Sequence, residues 1–239
     1  TRQGRLSVSE IVEQFSISEA TARRDLESLA SQGKVQRVHG GVIAVEQAPP
    51  ELPILQREGE QAVEKSMIGQ AAAELVNDGE TVFLGSGTTV LETAKNLRER
   101  KNLTVITNSL PVLNALAGIK EITVVSLGGQ LRESELSFIG HITEQALAEV
   151  RVDKVVMGAR GLSLEHGLTN DYLQETLTDR AILKIGHEVI LVADHSKVNR
   201  VSTALLAPLS SMNTFVTDSK ADKKFIQTLK KQNIKVVIA

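Results

Sequence analysis

The stretch VFLGSGTTVLETA, residues 82–94, decides how the larger part of the chain is read. An apolar, strand-like run stops at Gly85-Ser86-Gly87 and restarts as a helical pattern at Thr88, so a strand enters a helix through a loop of small residues. In such a loop backbone N–H groups can turn toward an anion, Thr88 and Thr89 add hydroxyls, and the helix N-terminus supplies a favourable dipole. It is not a Walker loop, because no Gly-Lys-Ser/Thr follows, and not a dinucleotide fingerprint, because Val90 stands at the third glycine of G-x-G-x-x-G. Read alone, it is equally well a plain tight turn.

Outward from this loop, helical patterns alternate with short apolar runs from residue 62 to the end. SMIGQAAAELV, TTVLETAKNL, SLPVLNALAG, TEQALAEV, QETLTDRAILKI and DKKFIQTLKKQ read as helices. TVFL, LTVIT, ITVVSLGG, VDKVVMGA, EVILVAD, TFVTD and IKVVI read as strands. This alternation predicts an α/β domain, Rossmann-like, with a mainly parallel sheet covered by helices. Ligands of such sheets sit at the carboxyl ends of the strands, where this sequence gathers its Gly, Ser, Thr, Asn and Asp. After Gly85–Thr89 come Thr107-Asn108-Ser109, then Gly128-Gly129 with Arg132, then GARGL at 158–162 and ADHSK at 193–197. Singly each has a plain account: Ser109 caps a helix, the glycines make turns, Asp194 and Lys197 form a surface ion pair. Five such loops at one edge of one sheet point instead to a binding site.

The 239 residues hold no cysteine, which excludes disulfides and thiolate metal sites, and no apolar run long enough for a membrane span. No charged-then-apolar leader is seen, and the expected location is cytoplasmic. Aromatics at 3% disfavour a surface that stacks bases or sugars. No cofactor or metal site is expected, and the net charge of −2 gives no hint of nucleic acid, so the placement of the arginines must carry that question.

Three of the five prolines fall at 49, 50 and 53, and stiff chain without donors reads as a linker, placed at 46–61 between units 1–45 and 62–239. In the first unit Ser9 is read as the cap of a helix running to Phe15, Ser16-Ile17 as a turn, and Ser18 as the cap of a second helix that ends at Gly33. Ala22, Leu26 and Leu29 form the inner stripe of that second helix, which turns Ala20, Arg24 and Glu27 outward with Thr21 and Arg23 beside them. KVQRVHGGVIAV follows as a hairpin. A capped second helix can enter the major groove while Arg37 and His39 on the wing reach backbone or minor groove. Modules of this kind carry a helix ahead of the first one read here. The chain opens at Thr1, in what reads as the loop QGRLS; the expectation is a trimmed small domain lacking that helix, with weakened DNA binding.

With both units read, the chain resembles the DeoR family of bacterial transcriptional regulators. The resemblance rests on SISEATARRDLESLASQGKVQRVHGG, IGQAAAELVNDGETVFLGSGTT, LTVITNS, LGGQLRESELSFIG, VDKVVMGARGL and ADHSK, in the family's order. It implies a winged helix-turn-helix that reads double-stranded operator DNA through Ser18, Ala20, Thr21, Arg23, Arg24, Arg37 and His39. It further implies a sensor domain of the ribose-5-phosphate isomerase and glucosamine-6-phosphate deaminase type, with a phosphorylated sugar or polyol as effector. By this resemblance Gly85, Ser86, Gly87, Thr88, Thr89 and Lys197 would hold the phosphate. Thr107, Asn108, Ser109, Gly129, Arg132, Gly158, Arg160, Gly161, Asp171, Glu175 and Asp194 would surround the sugar. A homodimer or homotetramer is expected.

The same resemblance separates a sensor from an enzyme. The isomerases carry Asp-Gly-Ala-Asp-Glu after a strand, to move protons between adjacent carbons. Here the corresponding residues are Met157-Gly158-Ala159-Arg160-Gly161, with the acids gone. No histidine reads as part of a triad. The expectation is a repressor of a sugar or polyol operon; the alternatives are an isomerase or deaminase with an appended helix-turn-helix, and an interaction module with a repurposed one.

Overall fold

Seven strands form one sheet, every neighbouring pair parallel, in the computed structural model, which describes residues 5–31, 35–38, 40–44, 46–47 and 52–239. In spatial order they are Ile122–Ser126, Leu103–Thr107, Thr81–Leu84, Val152–Met157, Gly186–Val192, Thr214–Thr217 and Lys235–Ile238. The chain winds outward from Thr81–Leu84 to one edge, then returns beside it with Val152–Met157 and winds to the other edge. The carboxyl ends of those two strands therefore flank the switch in winding direction, where a crevice opens in such sheets.

Continuous apolar runs, not alternating ones, make these strands because both sheet faces are covered. Val82, Leu84, Val156, Ile190, Val192 and Val216 pack into one buried cluster, while Phe83, Val155, Met157, Leu191 and Phe215 pack into the other. Side chains along each strand thus alternate between two cores. All seven strands and six covering helices lie where the sequence pattern predicts them.

Short antiparallel pieces are the main addition. Gln130–Arg132 pairs with Ser137–Ile139, and Gly161–Ser163, Gly167–Asn170 and Ala204–Ala207 form a separate three-stranded sheet. Strands of three or four residues give too few positions for a period-two pattern to show.

In the small unit the helix Val8–Phe15 is capped by Ser7 and not by the expected Ser9. Ser7 Oγ accepts from Glu10 N at 3.1 Å, and Glu10 Oε2 accepts from Ser7 N at 2.7 Å. This capping box needs Glu three residues after the cap, and three after Ser9 stands Val12. Ser16, with φ of 52°, turns the chain toward the helix Glu19–Ser31. Residues Arg5–Ser7, expected as loop, form a strand on Gly41–Ala44, which also pairs with Val35–Val38. A side chain at 41 would meet Leu6 O at 2.2 Å, so the strand rests directly on glycine backbone. The expected helix end at Gly33 lies outside the described residues.

The expected linker is not free chain where it is described. Glu46–Gln47 pairs with Arg200–Val201, and Ile54–Arg57 is a short helix whose Ile54 and Arg57 are buried against the large unit. Pro53 stands at the N-cap of that helix, and the apolar Ile54 and the buried partner of Arg57, described below, hold it in place.

Candidate functional site

A cleft lies at the winding switch. Its first wall is the loop that the sequence marks. Gly85 N donates to Val156 O at 3.0 Å, extending the sheet by one bond. Gly87 then takes φ of 111° and ψ of 152°, a backbone that side-chain-bearing residues rarely adopt, and the helix Thr88–Asn96 begins with no side-chain cap. Ser86, Gly87, Thr88, Thr89 and Val90 line the cleft. The first-turn N–H groups, which no carbonyl inside the helix can reach, sit at this wall.

Opposite stand residues of the ADHSK loop. Asp194, 1% exposed, accepts from Ser196 N at 2.9 Å and so caps the short turn His195–Lys197; Asp194, Ser196 and Lys197 all line the cleft. Behind the loop Asp218 accepts from His195 N at 2.7 Å, from Lys220 N at 2.9 Å and from His195 Nδ1 at 3.0 Å. His195 thus serves to hold a loop. Burial by itself would raise the Asp218 carboxyl, but hydrogen bonds from His195 and Lys220 outweigh it and hold the group below its ordinary value of 3.8. A carboxyl easier to ionise in the folded state adds stability above about pH 4 and loses it as pH falls through the lower, folded value. Asp218→Asn should therefore be less stable than the parent at neutral pH, with the difference shrinking toward about pH 3; urea unfolding across that range measures it, and a gap that widens on acidification would refute this reading.

The third wall carries ion pairs. Arg160, buried, donates from Nε to Asp171 Oδ2 at 3.0 Å, while Asn170 Nδ2 donates to Asp179 Oδ2 at 2.7 Å. Glu175 pairs with Arg132, whose guanidinium lies 4.7 Å from the Tyr172 ring centre. Gly158, Arg160, Asn170, Glu175 and Asp179 line the cleft; Arg132 and Asp171 stand behind, holding those that do.

The remaining expected sugar ligands lie outside the cleft lining. Thr107 Oγ1 donates to Leu84 O at 2.7 Å and accepts from Ser109 N at 3.0 Å, and Ser109 caps the helix Leu110–Leu116. Asn108 donates to Phe138 O at 2.9 Å. At Gly129 a Cβ would meet Thr143 Oγ1 at 2.1 Å, and at Gly161 it would meet Arg200 O at 2.6 Å, so both glycines admit close neighbours. Gly85 belongs to the sheet edge beneath the cradle.

Several lining residues escaped the sequence reading, chiefly Arg57, Lys65, Glu135, Asn170 and Asp179. Lys65 had a signal. It falls on the buried stripe Lys65, Ile68, Gly69, Ala72, Ala73 of the helix Ala62–Ala73, where a lysine is out of place unless used. It is 5% exposed, its Nζ donates to Arg57 O at 2.7 Å, and burial holds the ammonium below the ordinary lysine range. Arg57 in turn pairs with buried Glu135. Among the described residues no cluster of His, Asp and Glu could hold a metal ion, and no helix is long and apolar enough to cross a membrane.

On the small unit, Ser18 Oγ accepts from Thr21 N at 3.1 Å and lies 2.8 Å from Thr21 Oγ1, capping the second helix as expected. Ala22 and Leu26 are buried, and Ala20, Thr21, Arg23 and Arg24 are exposed on the face away from them. Arg23 is held by Glu19 one turn back, at 2.6 Å; Arg24 has no ion-pair partner among the described residues. Arg37 lies in the strand Val35–Val38 beside Val42; its side chain and all of His39 lie outside the described residues.

Two family models match the chain: the DeoR-like helix-turn-helix domain over residues 1–48 and the DeoR C terminal sensor domain over residues 60–219. The relatives that match along most of their length include three of direct interest. The transcriptional repressor AccR of Agrobacterium fabrum is 35% identical over 98% of this chain and 91% of its own. The HTH-type transcriptional regulator IolR of Bacillus subtilis is 32% identical over 99% and 94%. The glycerol-3-phosphate regulon repressor of Escherichia coli is 33% identical over 98% and 93%. Among solved structures, ribose 5 phosphate isomerase A of Neisseria gonorrhoeae matches with a TM-score of 0.42 and 20% identity, over 56% of this chain and 52% of that one. A capped, arginine-bearing second helix with a hairpin, joined to a parallel-sheet unit with a cleft at its winding switch, and family models over both parts, lead to one assignment: the chain belongs to the DeoR family of transcriptional regulators and is a regulator, not an enzyme.

Proposed function

We propose that the protein is a cytoplasmic repressor of a sugar or polyol operon, with residues 1–45 reading double-stranded operator DNA and residues 62–239 sensing a phosphorylated sugar or polyol. Two protomers, or four, would present paired recognition helices to half-sites. One observation carries the sensing role. The uncapped start of Thr88–Asn96 shares a cleft with Lys65 and Lys197, and Glu175, Asp179 and Asp194 line the same cleft. Backbone donors and two ammonium groups suit a phosphate; carboxylates held by their neighbours accept hydrogen bonds from hydroxyls. The Escherichia coli relative, named for a phosphorylated polyol, is consistent with this ligand class.

A thermal-shift screen of sugar and polyol phosphates tests the reading. The matching compound should raise the melting temperature saturably, by an amount equivalent to about 2.7 kcal/mol at a hundred times its dissociation constant. Lys197→Ala should weaken that ligand by about 10- to 100-fold, the worth of a hydrogen bond to a charged group, and leave operator affinity in the absence of ligand unchanged. A screen without any saturable rise, or equal loss of ligand and operator binding in the variant, would refute the two-site picture.

A further inference from the structure

The segment that joins the two units is fastened to the cleft by the cleft's own charged residues. Ile54 N donates to Ser134 O at 2.7 Å, and the next residue but two, Arg57, pairs with Glu135. Lys65 Nζ donates to the carbonyl of Arg57, the last residue of the helix Ile54–Arg57, and Glu60 N donates to the same oxygen at 3.1 Å. Upstream, Glu46–Gln47 runs parallel to Arg200–Val201, three residues beyond Lys197. Both attachments thus end on stretches that supply a lysine to the cleft. An ammonium has three N–H donors; Lys65 uses one on Arg57 O and lines the cleft beside Thr88 and Thr89.

We propose that Lys65 is a positioning residue that couples cleft occupancy to the interdomain segment: an anion at Ser86–Thr89 takes its remaining donors, fixes the ammonium on Arg57 O, and tightens the helix Ile54–Arg57 against the sensor unit. The inference rests on the reading of the cleft as a phosphate site. Its thermodynamic form is simple. A ligand that binds only while the segment is attached lowers the equilibrium constant for detachment by a factor of one plus its concentration over its dissociation constant, and a detached segment weakens the ligand by the same linkage. The segment is the covalent connection between the sensor unit and the wing.

Hydrogen exchange on the whole chain, with inorganic phosphate as probe, tests this. At ten times the apparent dissociation constant the amides of Ile54, Gln56 and Glu60 should exchange about tenfold more slowly, together with those of residues 86–91. In Lys65→Met, a change of similar volume, phosphate should still protect 86–91 at higher concentration but leave the 54–60 amides unaffected. Protection of 86–91 without any change at 54–60 in the unaltered protein overturns the coupling and leaves the phosphate reading standing. Equal protection at 54–60 in Lys65→Met also overturns it. No protection anywhere at tens of millimolar phosphate removes the phosphate reading and the coupling together. The arm with the unaltered protein needs no variant to fold.

Discussion

Gly69→Val is expected to leave no cooperatively folded sensor unit. Gly69 lies on the buried stripe of the helix Ala62–Ala73, where that helix crosses Thr88–Asn96. A Cβ at this point would sit 2.6 Å from Glu92 Cβ, 2.7 Å from the Glu92 carbonyl carbon and 2.8 Å from Thr93 N. Two of those three atoms are backbone, and the helix that carries them cannot yield, because Val90 and Ala94 are wholly buried on its other side. Extra methylenes in a packed core cost about 1–3 kcal/mol even where side chains can adjust. A β-branched group against backbone exceeds that, out of a total stability of about 5–15 kcal/mol. The milder Gly69→Ala gives the cleaner measurement. On an open helix face it would stabilise by about 1 kcal/mol; here it should lower the urea midpoint. Higher stability of Gly69→Ala than of the parent would show that the two helices can part. The same crossing also holds part of the cleft, since one helix brings Lys65 and the other opens at Gly87; separating them dismantles the wall that Lys65 and Ser86–Val90 form.

Which features the sequence discloses depends on how many residues share one physical cause. Each strand of the main sheet is buried on both faces, so Thr81–Leu84 or Val152–Met157 announces itself by an unbroken apolar run. The Gly87 loop is likewise legible, since a small residue with a left-handed backbone and an uncapped helix start are local facts. Arg57 and Glu135 meet across 78 positions in sequence, and neither has a local reason to be buried. Lys65 falls between two sequence signals: the helical pattern starts at Ser66 and the linker ends at 61, so neither places it on the inner stripe. Polar residues at strand ends are ambiguous for another reason. Thr107 is the last residue of its strand and Asp194 stands two residues beyond the end of its own, yet Thr107 ties its strand to Leu84 O while Asp194 lines the cleft. Residue type at a strand end does not separate a cleft-lining residue from a strand clamp.

Arg24→Ala should reduce operator affinity far more than Arg23→Ala, although the two residues adjoin and carry the same charge. Both project from the exposed side of Glu19–Ser31, one turn beyond the Ser18 cap. Arg23 is already bound to Glu19, by contacts of 3.0 Å from Nε and 2.6 Å from the second nitrogen. To grip DNA it must give up that pair or share it, and the nearby carboxylate opposes a phosphate. Arg24 has no ion-pair partner among the described residues, so no described carboxylate competes for its charge. A guanidinium on a guanine edge is worth about 1–3 kcal/mol of discrimination, and in a dimer the substitution acts twice, so a loss of about 2–6 kcal/mol is expected if Arg24 reads a base. Its signature is then relaxed sequence preference at one position of each half-site. If Arg24 instead meets phosphate, all sequences weaken together and the salt slope falls by about one per contact removed. Titrations of operator and scrambled duplex at several salt concentrations separate these outcomes, with ligand affinity as the control, because the cleft lies on other elements and should not respond. Loss in Arg23→Ala equal to that in Arg24→Ala would mean that the Glu19 pair dissolves on the duplex, and that the exposed face engages DNA in a geometry other than the one the free protein shows.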